Sequence, residues 1–125
     1  MGSVLISAVV NLGFLVIQVV LGFRLGRSGK PYGKRVLVTH VIVSLLLLAG
    51  WAATFWKLQG VADGKVFSTI ALEVAGLALP VTMVVGVVMA FRKTAAPKLV
   101  LAHKVGMFVV AVGMIGGVLF MALKM

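Results

Sequence analysis

The sequence predicts an all-α protein: an integral-membrane four-helix bundle made of two repeated helical hairpins. Three observations carry this expectation. Hydrophobic residues make up 62% of the chain and charged ones only 11%, too little polar surface to cover a water-soluble globule. Four apolar runs each reach the roughly 20 residues that cross about 30 Å of hydrocarbon at about 1.5 Å per residue. The basic residues fall mainly between those runs, which is how membrane proteins encode orientation. A transmembrane barrel would need shorter, alternating segments. Residues 1–125 therefore read as a single transmembrane domain.

The first run, about Val4–Phe23, has no basic residue before it and no small-residue cleavage site. It reads as a retained helix, not a leader. The loop that follows, 24–35, holds Arg24, Arg27, Lys30, Lys34 and Arg35. Its Gly-Arg-Ser-Gly-Lys-Pro-Tyr-Gly stretch is turn chemistry; it lacks the spacing and the preceding strand of a phosphate loop. The second run, about Val36–Trp56, ends in Trp51, Phe55 and Trp56, an expected aromatic belt. Lys57, Asp63 and Lys65 follow. The third run, about Val66–Phe91, contains Glu73 and Pro80, and the proline should kink it. Loop 92–98 holds Arg92, Lys93 and Lys98, and the fourth run, about Leu99–Leu123, precedes Lys124. The positive-inside rule then assigns loops 24–35 and 92–98 to the cytoplasm and both termini to the other side.

The two hairpins repeat. Val19-Val20-Leu21-Gly22-Phe23-Arg24 matches Val87-Val88-Met89-Ala90-Phe91-Arg92, and Arg35-Val-Leu-Val-Thr-His40 matches Lys98-Leu-Val-Leu-Ala-His103. Gly50 and Gly113 each follow their histidine by the same interval. Both copies enter from the same side, so the repeat is parallel, about an axis along the membrane normal.

The chain has 2 histidines, and each lies five positions past a basic residue at a membrane edge. Both therefore sit about 7.5 Å into their helices, at one depth. An ionisable side chain inside the bilayer marks a functional site until a structural role explains it; the bland alternative is a hydrogen bond to a neighbouring helix. Two imidazoles at equal depth suit the axial positions of one heme b, which needs a nitrogen on each side of a planar porphyrin. Zinc or copper would want three or four ligands. The chain has no cysteine, which removes disulfides, iron–sulfur clusters and thiolate sites. Near His103, Gly106 would leave room for a flat macrocycle, with Leu99, Met107, Val110 and Met114 on the same face; Val36, Val43, Ser44 and Leu47 share the face of His40. Met107 reads as adaptable core filling, not as an axial ligand. Heme propionates are anionic, and the nearby edge carries Arg24, Lys34, Arg35, Arg92, Lys93 and Lys98, with Arg35 and Lys98 nearest in sequence to the histidines. Lys104 could snorkel to the same edge. For most of these residues the positive-inside signal alone is a sufficient explanation.

Glu73 breaks the repeat, its word-matched counterpart being Leu5. It lies roughly 12 Å from the outer end, at the level of Ser7, Asn11 and Thr69. It reads first as an interfacial acid reaching water, Lys124 or a partner subunit, and second as part of a proton-handling or quinone pocket.

The basic-x4-His pattern at the start of paired membrane helices resembles the small four-helix b-type cytochromes that serve as membrane-anchor subunits of respiratory and electron-transfer complexes. The resemblance rests on His40 and His103 within the hairpin architecture. It implies one low-spin, six-coordinate heme that passes single electrons, metal ligation by His40 and His103, and a redox partner protein or larger respiratory complex, with a quinone as a further partner. Many relatives hold four histidines and two stacked hemes; this chain has half that set. Twelve Lys and Arg against 2 acids would suggest nucleic acid on a soluble domain, but here the lipid bilayer explains them. A homo-oligomer is compatible. The competing readings are a small four-helix transporter with Glu73 as its coupling acid, and a heme-free assembly or structural subunit.

Overall fold

The computed structural model describes residues 2–59, 66–94 and 96–123, with side chains described except at 58, 59, 66–69 and 121. Asp63, Lys65, Lys124 and the side chain of Thr69 lie outside the described residues. These form four α-helices: α1 (Gly2–Ser28), α2 (Lys34–Gln59), α3 (Val66–Phe91) and α4 (Pro97–Leu123). Among the described residues there is no strand. All four helices are long and apolar enough to cross a membrane, as an integral multi-pass protein requires.

α3 matches its apolar run, whereas α1, α2 and α4 outrun theirs. Arg24, Arg27, Lys34, Arg35 and Lys98 belong to helix ends and not to loops. The physical reason is simple: lipid ends a hydrophobic run at the first charge, whereas backbone hydrogen bonding ends a helix at its caps. Gly29, at φ 66°, donates its N–H to the Leu25 carbonyl at 3.1 Å, the left-handed stop that closes α1. Gly33 offers its carbonyl to Leu37 N–H at 2.9 Å to open α2. Pro97 opens α4 at the position where a missing N–H costs nothing. Half-buried Lys30 donates to the Met89 and Arg92 carbonyls, so the segment between α1 and α2 caps the end of α3. α3 runs through Pro80 as one helix.

The helices form a square. Each packs on its sequence neighbours and α4 closes against α1, while α1–α3 and α2–α4 face each other diagonally without backbone contact. The α3–α4 pair packs closest. Its glycines explain that: a Cβ on Gly113 would meet the Ala71 carbonyl at 2.8 Å and Ala75 Cβ at 2.9 Å, and one on Gly117 would meet Leu72 at 2.5 Å. Small residues let backbones approach where lipid supplies no hydrophobic drive.

The interior of each helix follows a three-four spacing. On α1 it reads Val4, Ala8, Asn11, Leu15 and Gln18; on α3, Leu72, Ala75, Leu79 and Thr82. This is the seam of left-handed bundle packing. Trp51 lies on it and is only 3% exposed, whereas Trp56 is 80% exposed. Trp51 is thus a core residue and not part of an aromatic belt, because α2 continues to Gln59 and carries Trp51 two turns below its end.

Candidate functional site

His40 and His103 lie on the interior seams of α2 and α4 and meet across the bundle's diagonal. Their ring centroids are 6.4 Å apart with planes at 61°. Both rings are half-buried. The two rings are thus edge-on neighbours across the diagonal, each with its Cε1 corner turned to a glycine of the preceding helix.

Each ring is positioned by the helix before it in its own hairpin. Gly86 of α3 leaves the space that His103 fills: a Cβ there would stand 3.0 Å from Cε1 and 3.3 Å from Nδ1. Gly22 of α1 does the same for His40, with Cε1 at 3.2 Å. One turn earlier on each helix stands a backbone carbonyl. His103 Nδ1 donates to Thr82 O at 3.0 Å. On α1 the matching contact is absent: His40 Nδ1 is buried without a hydrogen-bond partner. The hairpins therefore share a glycine facing each imidazole, while the carbonyl partner is made for His103. With Nδ1 carrying the proton, Nε2 presents a lone pair. This contact register pairs Gly22 with Gly86, four residues from the Ala90 of the sequence word match, and so pairs Glu73 with Val9 instead of Leu5.

The α1 side adds a polar chain. Gln18 is 4% exposed; its Nε2 donates to Ser44 Oγ and lies 3.3 Å from His40 Nε2. Ser44 Oγ donates to the His40 carbonyl at 2.8 Å. Farther along, Asn11 Nδ2 donates to Thr54 Oγ1 at 2.8 Å, and Ser7 Oγ shares that hydroxyl at 2.8 Å.

The other expected residues divide by position. Arg24, Arg35, Arg92 and Lys98 are all exposed at the histidine end of the bundle, as is Lys104. Gly106 faces Thr82 of α3, where a Cβ would meet Thr82 Cβ at 3.1 Å; it serves the α3–α4 approach. Met107 packs against the core. Glu73 is exposed. It borders a cleft of ≈ 360 Å³ between α2 and α3, lined by Leu48, Trp51, Phe55, Gly76 and Leu77. Trp51 Nε1 has no partner there.

Gln18, Gly22, Thr82 and Gly86 escaped the sequence reading. Gln18 had a signal, as a buried amide at mid-span; the glycines had none without the helix register. Among the described residues no group of three or more His, Cys, Asp or Glu comes together, so the donor set at the diagonal is the two imidazoles. No protein-family model, curated protein or solved structure matches the chain.

Proposed function

We propose that the chain is a membrane-embedded b-type cytochrome, with one heme between His40 and His103, that carries single electrons as a subunit of a quinone-linked redox complex. The observation that carries this reading is the 6.4 Å ring spacing between two imidazoles that each lie against a glycine of the preceding helix in its own hairpin. Two nitrogens from opposite sides are what a porphyrin iron lacks, and fewer than zinc or copper takes. When bound, the heme would supply a one-electron ferric–ferrous couple. The chain's own part is to aim the two Nε2 lone pairs, to exclude water with apolar helices, and to answer the propionates at the basic end through Arg24, Arg35, Arg92 and Lys98. By the positive-inside rule that end faces the cytoplasm.

A spectrum tests this directly. Protein purified from heme-replete cells and reduced with dithionite should show sharp b-type bands at one heme per chain. His40→Ala and His103→Ala should each abolish the low-spin bands. A colourless wild type ends the reading.

The quinone partner rests on the largely apolar cleft beside Glu73, lined by Leu48, Phe55 and Leu77. Quinone-linked electron transfer that survives Glu73→Gln unchanged would remove that part. The competing reading is a small four-helix transporter with Glu73 as its coupling acid, which proton-coupled substrate uptake in vesicles would support.

A further inference from the structure

The two histidines are not equivalent, and the difference lies in one side chain. On α3, Thr82 turns its Oγ1 back to the Ala78 carbonyl at 2.7 Å, and among the described residues nothing hydrogen-bonds His103 Nε2. On α1 the corresponding residue is Gln18, whose longer side chain reaches His40 Nε2 at 3.3 Å. An amide nitrogen has no lone pair to offer, so its N–H donates and the ring nitrogen accepts. That bond occupies the lone pair a metal would take.

We propose that Gln18 is a placeholder and positioning residue at His40: in the metal-free protein its amide holds the Nε2 lone pair, so a heme engages His103 first and His40 only as Gln18 yields. The proposal rests on the heme reading above. Two effects follow from the geometry. An N–H at Nε2 requires the proton on Nδ1, the tautomer that His103 has through Thr82, so Gln18 keeps His40 chemically ready. It also competes for the same nitrogen. The competition is mild, because the 3.3 Å bond is long and the amide's contact with Ser44 Oγ need not be given up. Ser44 is itself tied to the His40 carbonyl at 2.8 Å, so it can keep the Gln18 amide beside His40 after the ring nitrogen is released. With Gln18 Oε1 partnerless, Ser44 is the amide's one other anchor.

Two measurements on the full chain in detergent test this. The first uses metal-free protein with 15N-labelled histidine at about pH 8.5, where an ordinary imidazole is neutral. Both rings should carry the proton on Nδ1, and Gln18→Met should shift the His40 Nε2 resonance and leave His103 unmoved. A proton on His40 Nε2 would mean that the amide presents its oxygen, and the placeholder is overturned. The second is a hemin titration followed by absorption. Wild type should pass from single-histidine to bis-histidine spectra in two phases. Gln18→Met should merge them, with His40 engagement favoured about fivefold, the worth of one modest hydrogen bond. Gln18→Asn, too short to reach the ring, should behave alike and serves where Gln18→Met does not fold. Uptake with no difference among the three proteins overturns the ordering alone. No uptake by wild type overturns the heme reading, and the ordering with it.

Discussion

Gly22 and Gly86 show how little room the imidazoles have. An added methyl at Gly86 would crowd two ring atoms of His103, at 3.0 and 3.3 Å, whereas at Gly22 the nearest contacts with His40 are 3.2 and 3.9 Å. Neither ring can retreat freely, since His103 is tied to Thr82 and His40 to Gln18. Overpacking of this kind costs about 1–3 kcal/mol. Gly86→Ala should therefore lower the bound pigment per chain markedly, and Gly22→Ala should lower it less, as read from reduced-minus-oxidised spectra. Wild-type pigment in Gly86→Ala would show that the ring can shift and that the glycine is incidental. At this scale the sequence disclosed the histidines and their common depth, because a basic residue marks the membrane edge and the rise per residue does the rest. It did not disclose Gln18, whose part depends on how α1 is registered against α2.

The elements were easy to find and hard to orient. An apolar run of membrane length becomes a helix because the backbone has no other way to satisfy itself in lipid. Which face turns inward is another matter. These helices are apolar all round, since lipid and core have the same chemistry, so periodicity carries almost no signal. The inward seam is marked instead by its polar members, Asn11, Gln18, Ser44, Thr54 and Thr82, all at most 6% exposed. Trp51 shows the related point: charge at Lys57 ends the apolar run, but hydrogen bonding carries α2 on to Gln59 and leaves Trp51 in the core. The glycines then decide how closely elements pack. Gly113→Ala puts a methyl within 3 Å of both the Ala71 carbonyl and Ala75, so it should force α3 and α4 apart and cost about 1–3 kcal/mol. Gly116, with nothing within 4 Å, is the control: Gly116→Ala should be neutral or slightly stabilising. Detergent unfolding monitored by circular dichroism reads both, and equal midpoints would refute the packing role assigned to Gly113. Lys30→Met tests the loop in the same assay. It removes the donor shared by the Met89 and Arg92 carbonyls, and a loss of roughly 1 kcal/mol is expected for groups that water can partly resolvate.

In the whole molecule, the hairpins are joined along two seams, α1–α4 and α2–α3, that are sparser than the contacts within either hairpin. The histidines sit on different hairpins, so a group held by both would bridge the weakest part of the fold. A ligand that binds only the folded state stabilises it by about 2.7 kcal/mol at a hundredfold excess over its Kd. Hemin should therefore raise the thermal midpoint of the wild type clearly. His40→Ala and His103→Ala should each lose most of that rise, because one nitrogen ties the heme to one hairpin only. The double variant should lose little beyond the worse single variant, since the two residues act through one shared bond path and their effects cannot add. Additive losses would mean that each histidine stabilises its own hairpin separately. The diagonal pair would then be two local helix contacts instead of one site, and the case for a single bridging cofactor would fall at the level where its geometry is most persuasive.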